Sequence, residues 1–293
     1  MNRKSLLLLL SAICTLAANA QIFWKVTPPD ANARPSYLFG THHGAPAAVA
    51  DRFALSDYYA LVDTVYGEVS PDELTTPDAS LTQLMVTPAD STLDKLYTPD
   101  ELGEIDRALT DITGQPGLLP MINAMKPAVI STMLLQHLLP KALPDFDINQ
   151  QLDLTILAKA KEAGKPVRGL ESVGRQMQAL FNTPVAYQAK ELLEELRQEG
   201  YGVNKLRSLT DAYMANDLTH LQQIMEAELP DGDPQHVEMI EKRNAEWVNF
   251  LIGFLPTTSA LIVVGAGHLP GNAGLLDAFR SAGYNVEPIA PKN

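Results

Sequence analysis

The chain carries a single cysteine, Cys14, and that residue lies inside an apolar leader. The remainder of the chain has neither disulfides nor thiolate chemistry at its disposal, so any metal it holds must be bound by histidine, carboxylate or water. Basic residues are also scarce: 22 Lys and Arg stand against 35 Asp and Glu, a formal net charge of −13. Such a balance disfavours nucleic acid and anionic membranes as partners and leaves solubility, or attraction of cationic peptides, as its consequence. No segment past the leader is apolar enough to form a membrane span, and no low-complexity tract or long linker divides the chain. A His-Glu-x-x-His helix is missing too, which excludes an ordinary zincin.

The leader itself is informative. Met1-Asn2-Arg3-Lys4 is positive, Leu6 to Leu10 continues through Ala12 and Ile13 as a short apolar run, and Ala18-Asn19-Ala20 is an Ala-x-Ala site. That order describes a secretory signal peptide. Cleavage before Gln21 predicts an exported protein, periplasmic or extracellular, made of one domain over 21–293. A lipoprotein reading of Cys14 is opposed by the bulky Ile13 before it.

Two short stretches organise the remainder. Ala260-Leu261-Ile262-Val263-Val264 runs into Gly265-Ala266-Gly267-His268, and Tyr37-Leu38-Phe39 runs into Gly40-Thr41-His42-His43. A continuous apolar run bounded by glycine reads as a strand buried on both faces. Gly265 and Gly267 are expected to permit a sharp turn or a positive φ, which delivers His268 just past the strand's carboxyl end, where open α/β sheets bind ligands. His43 and His268 thus occupy matching Gly-x-x-His positions. Val264 to Gly271 also imitates a dinucleotide fingerprint, but its spacing is Gly-x-Gly-x-x-x-Gly and Pro270 stands where the helix should begin.

The elements expected around these stretches are mixed. Gln21–Val26 and Ser36–Phe39 form a hairpin, Ala47–Leu61 is mostly helical, and Leu61–Val69 is a strand carrying Glu68 near its end. Helices come next: one capped by Thr98 with Pro99 at its first position, one contained in Met121–Leu139 around Lys126-Pro127, one over Asp153–Ala163. Pro166–Glu171 is a short strand that delivers Glu171. Further helices span Tyr187–Gln198, Val203–Ala215, Asp217–Glu228 and His236–Leu255, before a last helix, Leu275–Ala282, and a strand, Asn285–Ile289. The fold class is α/β (α+β), a central sheet built from terminal strands with a large helical section at about 81–255.

Neutral imidazole is the commonest protein metal ligand and a near-neutral acid or base. Two histidines need a carboxylate to balance an ion's charge, and Glu68 and Glu171, each at a strand end, are the candidates. Spacing alone favours His43 over His42 as the inward one. Arg243 is suited either to orient a catalytic carboxylate or to hold a substrate carboxylate in a bidentate pair, with a surface ion pair to Glu241 or Glu246 as the alternative. His137 reads as a packed or capping residue, and His220 and His236 receive no role.

Taken together, Tyr37 to Gly44, the strand ending in Glu68, Gly169-Leu170-Glu171-Ser172, Arg243-Asn244 and Val263 to Gly271 resemble the TraB/GumN family, the group related to the Tiki metalloproteases. The order and spacing agree from about Ser36 to Ile289. The resemblance implies an α/β fold in which both Gly-x-x-His histidines and a glutamate face one cleft. Through the Tiki branch it further implies proteolysis dependent on a divalent metal, manganese or cobalt, held by His43, Glu68 and His268; zinc is a third ion that histidine and carboxylate ligands accept. Glu171, Arg243 and Asn244 are implied as supporting residues. The substrate would be a peptide or protein. Other branches of the family are described through peptide binding or sequestration, so a non-catalytic binder using the same cleft is the alternative.

Overall fold

The computed structural model describes residues 21–30, 32–75, 79–198, 200 and 202–292; the leader and its cleavage site lie outside the described residues. Six strands form one sheet: β1 (Phe23–Thr27), β2 (Ser36–Thr41), β3 (Thr64–Val69), β4 (Val167–Glu171), β5 (Ala260–Gly265) and β6 (Asn285–Pro288). Their spatial order is β4-β3-β5-β2-β1-β6. β1 pairs antiparallel with both β2 and β6, whereas β5 runs parallel to β2 and β3, and β3 parallel to β4. The sheet is therefore mixed, within an α/β architecture, and its four parallel strands have their carboxyl ends on one edge.

The apolar run of β5 explains its place between β3 and β2. Leu261, Ile262, Val263 and Val264 are each at most 1% exposed, and each contributes on the order of 1.5–3 kcal/mol of transfer free energy. Phe23 packs edge-on against Phe39, Phe53 and Tyr58, so the antiparallel half shares the same core.

Longer helices surround the sheet: α1 (Pro99–Thr113), α2 (Pro127–Ala142), α3 (Leu152–Glu162), α4 (Val173–Phe181), α5 (Val185–Arg197), α6 (Val203–Met214), α7 (Leu218–Glu228), α8 (Lys242–Phe254) and α9 (Leu275–Ser281). Thr98 and Glu101 form a reciprocal capping box at the start of α1, satisfying donors the first turn would otherwise leave free. Ile105 and Leu109 of its apolar face join a second core with Leu93, Ile130, Leu134 and Leu192.

Several boundaries differ from expectation. α2, expected within Met121–Leu139, starts at Pro127, because proline holds the residue before it extended and Lys126 sits at φ −64°, ψ 143°. The segment 47–61 holds only two helical turns, Val49–Arg52 and Ser56–Tyr59. α4 has no counterpart among the expected helices, whereas β4 lies where a short strand was expected, starting at Val167 in place of Pro166. A π-turn, Val237–Glu241, precedes α8. Among the described residues no helix is long and apolar enough to cross a membrane.

Candidate active site

The four parallel strands present their carboxyl ends in the order β4, β3, β5, β2, and each brings one candidate. Glu171 closes β4, Glu68 is the penultimate residue of β3, His268 follows β5 and His43 follows β2. Neighbouring strands lie roughly 4.8 Å apart, so the first three are adjacent and His43 stands on the far flank. The topology decides which candidates meet.

Arg243, in the first turn of α8, joins the first three. Its side chain is 1% exposed, and every guanidinium N–H finds an acceptor. Nε donates to Glu171 Oε1 and Oε2 at 3.0 and 3.2 Å. Nη2 donates to Glu171 Oε1 and Glu68 Oε2, both at 2.6 Å. Nη1 donates to His268 Nε2 at 3.0 Å and to the Met239 carbonyl at 3.1 Å. The face of the guanidinium rests on the Trp247 ring, 4.7 Å from its centroid. The surface ion pair considered for Arg243 is not formed: Glu246 pairs with Arg175, and Glu241 with His236.

These contacts fix the protonation of His268. Arginine only donates, so Nε2 must carry a lone pair and Nδ1 the proton. Nδ1–H donates to Asn244 Oδ1 at 2.7 Å, while Asn244 Nδ2 donates to the carbonyls of His268 and Ala273. Burial lowers the His268 pKa to about 4, with Glu68 opposing and Arg243 acting in the same direction as burial. The ring, 4.6 Å from Trp247, is neutral at pH 7 and held in one tautomer.

Glu68 is the opposite case. Burial would raise its pKa, but the neighbouring His268 and Arg243, with the Gly265 N–H, hold it at about 2. Oε1 accepts from Gly265 N–H at 2.7 Å and lies 3.8 Å from His268 Nε2; Oε2 also accepts from Gln176 of α4 at 3.0 Å. Gly265 itself has φ −53°, so positive φ is not why glycine stands there. A Cβ at this position would lie 3.2 Å from Glu68 Oε1; glycine lets the backbone approach the carboxylate. Glu171 is 3% exposed, and its pKa is raised by burial despite Arg243.

On the far flank, His42 rather than His43 turns inward. His42 Nε2 lies 2.9 Å from Thr210 Oγ1, its ring packs on Tyr213, and burial with the neighbouring His43 charge lowers its pKa to about 4. His43 is 66% exposed with Nδ1 3.4 Å from Asp153 Oδ2. Asp153 raises its pKa to about 9, against partial desolvation and with a smaller contribution from Glu68. The structure thus assembles Glu68, Glu171, Arg243, Asn244 and His268 in direct contact and leaves His43 with Asp153.

Asp153, Gln176 and Met239 are site residues that sequence reasoning does not find. An aspartate in a helix's first turn reads as a partner of the helix dipole, and nothing in the sequence marks a glutamine or a π-turn carbonyl. His137, expected to be packed or capping, is exposed in the interior of α2, with Nδ1 2.9 Å from the Met133 carbonyl one turn back. His236 is less exposed than its acidic surroundings suggest, at 12%.

Among the described residues no group of three or more His, Cys, Asp or Glu side chains is set as a metal cage. The turn after β5 is a 3₁₀ segment, Ala266–His268, not the helix a dinucleotide fold places there. No curated protein matches the chain. The model of the TraB/PrgY/gumN family matches residues 22–288, nearly its whole length, and the chain belongs to that family.

Proposed function

We propose that the mature chain is an exported hydrolase that cleaves peptide bonds with the help of a divalent ion, manganese, cobalt or zinc. The observation that carries this reading is the convergence of Glu68 Oε1 and His268 Nε2, 3.8 Å apart, with the imidazole locked as its Nδ1–H tautomer by Asn244. Metal-binding imidazoles use their second nitrogen in this way, so the donor chemistry fits an ion held by Glu68 and His268. When bound, the ion would lower the pKa of its water and polarise the scissile carbonyl.

The remaining residues have separable tasks. Glu171 is too deeply covered to reach a substrate; it fixes Arg243, and Arg243 in turn fixes Glu68 and His268. Glu68 is 18% exposed and is the more open of the two carboxylates. His43, paired with Asp153, would have to shed its proton to serve as a third ligand. As it stands it is suited to hand a proton to a leaving amine.

A second reading, a peptide-binding protein without turnover, is favoured by one observation: Arg243 already satisfies both carboxylates and the His268 lone pair. The two are separated by incubating the mature protein, wild type beside His43→Ala/His268→Ala and Glu68→Gln, with a peptide library and Mn²⁺, Co²⁺ or Zn²⁺. Hydrolysis by wild type that both variants lose supports the hydrolase. Retention of peptide by wild type, with no product under any ion, leaves the binding protein in its place.

A further inference from the structure

Helix α5 turns its two faces toward different neighbours. Ala189, Leu192 and Leu193 enter the second core. Tyr187, Glu191, Glu194 and Glu195 recur at intervals of three and four on the other side, the spacing of a single helix face. That face fronts a cleft of about 400 Å³ whose other walls are α2, the start of α6 and the end of α7. The cleft is charged unevenly: four lining carboxylates, Glu191, Glu194, Glu195 and Glu228, stand against one lining lysine, Lys205. Lys205 is taken by Glu228 at 3.0 Å. Lys190, which does not line the cleft, lies 3.5 Å from Glu191 and 3.3 Å from Glu194. Glu195 is left, among the described residues, with one weak partner, the Ser131 hydroxyl, which donates to Oε2 at 3.3 Å. It is half-buried, and Glu191 sits one turn back on the same face, a spacing at which like charges repel. Burial raises the Glu195 pKa; Lys205 and Ser131 oppose this, and Glu191 and Glu228 add to it. The direction is that of a carboxylate short of counter-charge.

We propose that this cleft is a docking subsite for the arginine or lysine side chain of a bound peptide, with Glu195 as the residue that receives its charge. The proposal rests on the peptide-handling reading above, in either its hydrolytic or its non-catalytic form. Ala128, Leu180 and Leu229 offer apolar surface to the methylene stem, which long basic side chains bury while their heads stay polar. A guanidinium can take a carboxylate in a bidentate pair, and the volume lies in the range of clefts that enclose small ligands. Its position suits a subsite. Gln176, one turn before Leu180 on α4, donates to Glu68, so the cleft begins roughly 6 Å along that helix from the residue touching Glu68. Extended peptide spans about 3.3 Å per residue; a basic residue held here leaves a segment a few residues away at the carboxyl edge of the sheet. The net charge of −13 attracts such peptides from a distance.

The test is equilibrium binding, by isothermal titration without added metal, of a blocked glycine-serine peptide carrying two arginines, beside the same peptide with citrulline in their place. Wild type should bind the arginine peptide about tenfold more tightly than the citrulline one, the difference a charged hydrogen bond makes. Glu195→Gln keeps the shape and the Ser131 contact; it should weaken the arginine peptide about fivefold, and Glu191→Gln/Glu195→Gln should weaken it further. Asp57→Asn/Glu287→Gln removes as many charges elsewhere, where both carboxylates pair with exposed lysines, and should stay within about twofold of wild type because salt screens distant charges. Should Glu195→Gln fail to fold, Glu191→Gln alone must show the loss. Equal losses in the two double variants, equal affinity for the two peptides, or no binding overturns the subsite. Arginine amide that binds as tightly as the peptide overturns the peptide as occupant. Metal-dependent hydrolysis of both peptides at equal rates sinks this inference and leaves the hydrolase standing. Arginine-selective binding with no product under any ion does the reverse.

Discussion

The two Gly-x-x-His units end neighbouring parallel strands, yet their histidines live in opposite surroundings. His268 is 5% exposed, neutral, and tied at both nitrogens. His43 is 66% exposed and faces a carboxylate that keeps it protonated. The pairing register explains part of this: Gly40 lies opposite Val264, not Gly265, so the two motifs are offset by one residue along the sheet edge. The rest comes from the partner element. α8 packs Trp247, Arg243 and Asn244 onto His268, whereas α3 offers His43 only Asp153. Matching local motifs are thus given different chemistry by what packs on them.

That contrast can be broken most directly by truncation. His268→Ala leaves Arg243 Nη1 and Asn244 Oδ1 short of a partner in a buried place and opens a void beside Trp247. It should lower unfolding free energy by about 3 kcal/mol, read from urea titration. His43→Ala should cost less than about 0.5 kcal/mol, as exposed substitutions do. Equal losses would mean the two environments are alike.

Acid titration of stability sharpens it further. The folded pKa of His268, about 4, lies below its unfolded value of 6.5. Between pH 6.5 and 4 the unfolded chain therefore takes up a proton that the folded chain refuses. Stability is complete above pH 6.5 and falls on acidification to pH 4, by about 3 kcal/mol from this group. His42 acts in the same direction. His43, raised to about 9, acts oppositely: its contribution is present below pH 6.5 and lost as pH rises through 9. In chemical denaturation across pH, His268→Gln should flatten the acid limb and His43→Gln the weaker alkaline one. The smallest effect is expected from Asp153→Asn, which should bring the His43 pKa down toward its ordinary value in an NMR titration while leaving the midpoint of unfolding nearly unchanged.

How much of this is legible in the sequence follows the same division. The apolar run of β5, the capping box at Thr98 and the strand ends at Glu68 and Glu171 are local patterns, and the sheet edge that bears the candidates follows from them. Arg243 reads equally as a site residue or as half of a surface ion pair, since nothing local distinguishes a buried arginine in Glu241-Lys242-Arg243-Asn244 from a solvated one, and Asn244 emerges only through its likeness to the family motif. The choice of His43 over His42 as the inward residue rests on spacing, which says nothing about α6 supplying Thr210 and Tyr213. Gly265 reads as a site of backbone freedom, but its role is the missing Cβ beside Glu68, a contact made across 197 residues. Asp153 and Gln176 reach the site from helices whose faces only tertiary packing orients.

The π-turn at Val237–Glu241 constrains the chain in another way. Lys242 N–H reaches back five residues to Val237, so one more residue is stored in that turn than an α-helix would hold. Each residue turns a helix by about 100°. Deleting one there would either straighten the turn or swing Arg243 and Asn244 away from the strand ends, whereas replacing a partly buried side chain such as Glu238 would do neither. In this stretch it is length, not composition, that a natural or engineered variant has least freedom to change.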